Sequence, residues 1–362
     1  KWPRFKRRTD PCGLTFPIVG GAFQAREAPP PGERKMRPGW CDVAVPKLGD
    51  VRARCPVSVT GTVLQMRVVR RADRWFLFVW QRLPDCAPAP PEQPRVVGVN
   101  RGVVELLATS DGLRVPGVGI YESTLAAIAA TRAEAAALVA AGSYDKAAKR
   151  RINEALQGLH RALRESRAQA VDGLRVEVGA LADKIAPTVQ SAKLPSRVAA
   201  AQREADRLAD ARKARQKAER EATGDASLRV WPSANEKAAR LRVARLHADG
   251  AERRLQRSHG LSEALVQRGD VLAFAGLALV DLTKSAKGTA DEPGEDVARK
   301  SELNRKMLDG GLGQTQVFAG YKAADRGGVV MALPAVNIST ECPACGLVDA
   351  RNHPSATVFQ CV

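Results

Sequence analysis

The most chemically specific pattern in this 362-residue chain stands at its end, "CPACGLVDARNHPSATVFQC". Cys342 and Cys345 form a C-x2-C knuckle with a glycine behind it, and Cys361 follows at the spacing that opens a second knuckle. A loop this short lets two thiolates reach one tetrahedral ion, and a strand such as "TVFQC" carries the partner knuckle. The fourth ligand is expected just past Val362, with His353 on the loop "RNHPS" as a stand-in. An all-thiolate zinc site leaves no open position for water, so its expected role is structural. Cys12, Cys41, Cys55 and Cys86 are scattered and read as free or buried thiols. Thiols placed this way fit a reducing compartment with metal binding better than a disulfide framework.

Those ligands need elements to hold them. Residues 1–94 read as β-rich: Asp50–Val59, Thr62–Arg71 and Arg74–Leu83 are short runs of Val and aromatics divided by Gly or Asp turns. In "RWFLFVWQRL", alternation puts Trp75, Leu77 and Val79 on one face and Phe76, Phe78 and Trp80 on the other. A strand apolar on both faces is expected inside a barrel or sandwich, with base stacking by the rings as the alternative. Pro84–Pro94 is a proline-rich connector. Behind it, "VVGVNRGVVELLATSDG" reads as a strand, a glycine turn and a second strand over Val103–Thr109.

From about Ser123 to Gln267 the pattern is helical, with breaks at Ala140–Tyr144, Lys184–Ser196 and Thr223–Asn235. The last helix opens on a capping box, Ser233 with Glu236. It carries Arg240, Arg242, Arg245, Arg253, Arg254 and Arg257, which read equally as a solvated face or as a phosphate-tracking one. An apolar strand over Asp270–Val280, a helix near Ser301–Ala324 and a strand over Gly327–Pro334 complete the reading. Strands alternating with helices after a β-hairpin predict an α/β sheet.

Charge points to the partner. Fifty-seven Lys and Arg against 39 Asp and Glu leave a formal +18. Such a surplus suits a polyanion, most simply DNA or RNA, because phosphate neutralisation releases counterions. Arg4, Lys6, Arg7 and Arg8 in "KWPRFKRRTD" join the helix arginines as candidate contacts. Charge that serves only solubility is the plainer reading. No apolar run approaches the ~18 residues of a membrane span, and "KWPRFKRRTD" is charged with no apolar region behind it, so it does not read as a secretory signal. The lack of an initiator Met and the ending at "FQCV" read as part of a longer protein.

Four pieces, in order, resemble the transposon-encoded TnpB family and its descendants, the type V CRISPR effectors. "KWPRFKRR" with "VPKLGDVRARCPVSVTGTVLQMRVVRRADRWFLFVW" looks like the second half of that family's wedge-type β-barrel. "VVGVNRGVVELLATSDG" is similar to its first RuvC segment, and "GDVLAFAGL" to its second. "NRKMLDGGLGQTQVFAGYKAADRGGVVMALPAVNISTECPACG" resembles its helix, strand and zinc-ribbon passage. The resemblance covers about 230 residues and implies an RNase H-like (RuvC) core. The segments would be a partial wedge barrel at 1–94, RuvC segment I at 95–122, a helical insertion at 123–230, RuvC segment II at 231–336 and a truncated zinc ribbon at 337–362.

It also implies a two-Mg2+ centre held by three carboxylates, one from each RuvC segment. The first maps to Asn100, a neutral and weak ligand for Mg2+. The second maps to Ala275, which offers no ligand, or to Asp281 if the strand slides; the third is expected past Val362. Glu105 reads as a strand-surface residue and Asp111 as part of a turn. Mg2+ is therefore not expected to load, while Zn2+ is.

The leading expectation is a nuclease-inactive protein of a prokaryotic cytoplasm or nucleoid. It would hold a guide RNA and target DNA, with base pairing reading the sequence. An RNA-guided endonuclease using displaced acids is the second reading. An unguided basic zinc-ribbon protein that binds nucleic acid is the third.

Overall fold

The computed structural model describes residues 13–17, 25–27, 39–54, 62–82, 88–186, 188–288, 294–334, 337, 340–342, 344–352 and 360–362. The fold is mixed α/β, with three sheets, long helices and a cysteine cluster at the C-terminal end. It divides into two compact units: 1–86 with 200–248, and 87–199 with 249–362.

The first unit contains two three-stranded antiparallel sheets. One joins β1 (Gly13–Pro17), β5 (Thr62–Arg71) and β6 (Arg74–Arg82); the other joins β2 (Ala25–Glu27), β3 (Trp40–Val45) and β4 (Gly49–Arg54). Phe16, Cys41, Val43, Val45, Val63 and Met66 come from both sheets and fill one core, with Leu77 and Val79 packed against it. Of β6, only Leu77 and Val79 pack against this core, and both stay partly exposed. Trp75 is 62% exposed and Trp80 44%, which corrects the expectation that both faces are covered. A sandwich two sheets thick needs one apolar face per strand, and β6 supplies it with Leu77 and Val79. Cys12, Cys55 and Cys86 lie outside the described residues.

The second unit is organised by a five-stranded sheet in the order β11-β10-β7-β8-β9. The strands are β7 (Val96–Asn100), β8 (Glu105–Thr109), β9 (Arg114–Pro116), β10 (Val271–Ala275) and β11 (Val329–Leu333). β7, β8 and β9 pair antiparallel, whereas β10 runs parallel to both β7 and β11. Val97, Val99, Leu107, Leu272 and Phe274 bury into its core together with Leu261 and Leu265 from a long helix. Near-continuous apolar runs such as "VLAFA" are what central parallel strands require.

The helices are α1 (Glu122–Ala140), α2 (Lys146–Val178), α3 (Ala182–Ile185), α4 (Val189–Thr223), α5 (Ala234–Arg268), α6 (Leu279–Leu282), α7 (Val297–Gly310) and α8 (Leu312–Ala324). Several predicted boundaries move. The strand expected to Val280 ends at Ala275, where the Gly276 N–H donates to Leu333 O, and α6 follows. The helix expected over Ser301–Ala324 is two helices, split at Gly311 with φ +64°, a backbone that glycine adopts without Cβ strain. Helix α4 begins inside the predicted break and takes in Pro195 in its second turn, where one backbone hydrogen bond is forgone. Helix α1 is long and apolar enough in length and composition to cross a membrane, so the expectation of no such segment does not hold for it. It buries Ile128 with Leu163 of α2 and joins α2 through Glu134 and Arg151.

Candidate functional site

Asn100 is the last residue of β7 and Ala275 the last of β10. The parallel register pairs Val99 with Phe274, so Asn100 and Ala275 are the next residues along neighbouring strands. Two positions singled out far apart in the chain thus meet at one end of the sheet. The frame is set by Phe274, Leu272, Val97 and Val99, all buried, and not by the residues at the end itself. Asn100 is exposed, and its Oδ1 accepts from the Arg101 backbone N–H at 2.8 Å, which turns the amide back onto its own loop.

Arg101 is the residue that sequence reasoning missed. Its side chain is 5% exposed. The guanidinium donates to Leu312 O at 3.0 Å and Ala275 O at 3.0 Å, and it lies over the Phe274 ring at 5.0 Å. Burial lowers its pKa, and Nε is buried without a hydrogen-bond partner. A cation is therefore built into the strand end, held by backbone carbonyls. The signal in sequence was only an arginine following a strand, and its carbonyl partners come from residues far along the chain.

The nearby acids are occupied. Glu105 pairs across the sheet surface with Arg114 at 3.1 Å. Asp111 sits in a turn closed by Gly112 and takes Thr109 Oγ1 and, at 2.6 Å, Arg268 Nε. Burial raises the Asp111 pKa, but these hydrogen bonds outweigh it and leave the group below its ordinary value. Asp281 lies on α6, past the end of β10, and is paired with Lys284 at 2.6 Å. Among the described residues, the cysteine trio is the group of three or more His, Cys, Asp or Glu side chains close enough to share an ion.

In that trio, the sulfurs of Cys342, Cys345 and Cys361 lie within 4.8 Å of one another, and Cys345 and Cys361 are 3.5 Å apart. Zinc with bonds of about 2.3 Å holds its thiolates ~3.8 Å apart, so the donor set fits. Gly346 N–H donates to Cys342 O at 2.8 Å, and Gly346 has φ +72°, the left-handed turn that closes the knuckle. Backbone N–H groups of Cys345 and Ala344, with the neighbouring thiols, lower Cys342 to about 7. The thiols of Cys345 and Cys342 push Cys361 up to about 12. Asn352, fully buried, stitches the ribbon: Nδ2 donates to Thr340 O at 2.8 Å and Leu347 O at 3.0 Å, and Oδ1 accepts from Val362 N. His353 lies outside the described residues.

The helix arginines divide. Arg253 donates to Thr188, Ser191 and Gln190 at the start of α4, and Arg254 pairs with Asp309 at 3.0 Å. Arg257 is 5% exposed and reaches Asp309 O, and burial lowers its pKa. These three are internal fasteners. Arg240, Arg242 and Arg245 are exposed, Arg240 beside Glu236 and Arg245 beside Asp73. Ser233 Oγ accepts from Glu236 N at 3.1 Å, but the Glu236 carboxylate goes to Arg212 and Arg240, so the predicted capping box is half formed. Arg4, Lys6, Arg7 and Arg8 lie outside the described residues.

No protein-family model matches the chain. It is 33% identical over 135 residues, 37% of its own length, to InsQ of Escherichia coli (strain K12), whose curated name describes an RNA-guided DNA endonuclease. That stretch spans 34% of InsQ. The match supports the resemblance read from the four motifs.

Proposed function

We propose that this chain is an RNA-guided DNA-binding protein of the TnpB and type V lineage whose RuvC centre has lost its metal chemistry. The observation that carries the reading is the pairing of β7 and β10, which sets Asn100 and Ala275 side by side where the family places carboxylates. Two Mg2+ ions need several negative oxygens to balance their charge. An amide, a methyl group and the Arg101 guanidinium supply none. The sheet order, with three antiparallel strands and then two parallel ones, supports an RNase H-like core.

In this reading the β-sandwich of the first unit is the wedge-type domain and α1–α4 carry the helical insertion. The three thiolates would hold a structural Zn2+, and that ion would keep the ribbon folded. Arg240, Arg242 and Arg245 are the exposed helix arginines that phosphate would reach, Arg240 and Arg245 by exchanging Glu236 and Asp73 for it. The partners are a guide RNA and a matched DNA, and the output is occupancy of the target, as in blocking transcription.

Two measurements test this. RNA that co-purifies with the chain is sequenced, and a guide-matched duplex is incubated with the complex and Mg2+. One discrete RNA species, target binding and an uncut duplex are expected. Cutting by this sequence would overturn the inactive centre, and random cellular RNA would overturn the guided reading.

A further inference from the structure

We infer that the outer face of the β5–β6 hairpin is a stacking platform for unpaired RNA bases. The antiparallel register pairs Gln65 with Trp80, Arg67 with Phe78, Val69 with Phe76 and Arg71 with Arg74. Cross-strand partners share a face, so three rings and three arginines stand on the side opposite the core residues Met66, Leu77 and Val79. Trp80 is 44% exposed, and Phe78 lies 6.1 Å from it, ring centre to ring centre.

Charge selects the occupant. The strands β1, β5 and β6, "GLTFP", "TVLQMRVVRR" and "RWFLFVWQR", contain five arginines and no acid. The acid in the turn between β5 and β6, Asp73, is taken by Arg245. The Arg71 guanidinium lies over Phe76 at 5.6 Å and over Phe78 at 5.1 Å. A flat cation already rests on these rings, so the face accepts planar groups, and the same arginine can turn to a phosphate as a base takes its place. Rings two residues apart are about 6.6 Å apart along a strand, wider than the ~3.4 Å rise of stacked bases. The platform therefore suits a splayed single strand, read by stacking on rings and neutralised by arginine. An apolar protein partner would find arginines between the rings; a polyanion finds ligands. The choice of RNA over DNA rests on the guided reading above.

The test measures binding of the full chain to a labelled oligouridine of about twelve nucleotides, within the site size of such platforms, and to the matching oligothymidine. Phe78→Ala with Trp80→Ala is expected to weaken oligouridine binding by about ten- to a hundredfold. Phe78→Tyr with Trp80→Phe is expected to retain it. Arg67→Gln with Arg71→Gln is expected to flatten the salt dependence by about 0.7 per lost phosphate contact. Melting curves of each variant report folding. Unchanged affinity in a folded alanine variant, or no binding by the parent chain, overturns the platform. Equal affinity for thymidine overturns its assignment to RNA. Oligouridine carries no guide scaffold, so this result stands or falls apart from the guided reading.

Discussion

Two places in this chain, the β7–β10 strand end and the cysteine trio, differ in what holds their shape. At the end of β7 and β10 the buried frame is intact, and in the reading proposed above Asn100 and Ala275 stand where carboxylates would be, beside the Arg101 guanidinium. At the ribbon, Cys342, Cys345 and Cys361 are in place, and their support is three hydrogen bonds to one amide, Asn352. The strand end is held by hydrophobic packing, so its shape needs no ion. Among the described residues of the ribbon, Cys342 and Asn352 are the buried ones, so a bound ion would supply much of its stability.

The sharpest way to break that contrast is Cys345→Ser. Bound zinc, measured by mass spectrometry, is expected to fall from about one per chain to background, and the ribbon is expected to become protease-sensitive. A ribbon that resists protease without its metal would remove the distinction. Phe274→Ala strikes the other side. It empties a fully buried position beneath the strand end and is expected to cost about 3–5 kcal/mol in urea denaturation. Asn352→Ala removes its bonds to Thr340 O, Leu347 O and the Val362 N–H, while the two carbonyls keep the Asp349 and Cys342 N–H groups. A loss of about 1–3 kcal/mol is expected, with faster zinc release to a chelator. The smallest effect is a gain. Asn100→Asp with Ala275→Glu is expected to give weak, saturable Mn2+ binding by calorimetry where the parent shows none. No binding at all would mean that the frame no longer fits an ion.

Much of this was legible in the chain. The C-x2-C knuckle declares itself through local spacing, and the alternation of "VVGVN" and "VLAFA" placed two strands whose ends were expected to meet. Overruns came where a pattern continued past the event that stops it. "GLALV" reads as more strand because hydropathy does not register that Gly276 closes onto Leu333. The α7–α8 break needs the left-handed turn at Gly311, which a single glycine inside a helical pattern does not announce. Trp75 and Trp80 were expected inside because the strand is apolar on both faces, yet only Leu77 and Val79 of β6 pack against the core. Arg101 and Asn352 were invisible for one reason: their roles lie in carbonyls and amides that only the folded chain brings to them.

The hydrogen bond from Arg101 to Ala275 O joins residues 174 apart in sequence. For an unfolded polymer, closing such a loop costs entropy that grows only with the logarithm of its length, about 0.6 kcal/mol for each doubling. That is less than the ~0.8 kcal/mol of one buried methylene. The excursion between β7 and β10 is thus nearly free to lengthen or shorten, provided that the few side chains under the strand end stay packed. Changes in the helical region and changes at the strand-end positions can proceed as independent drifts on the same sheet.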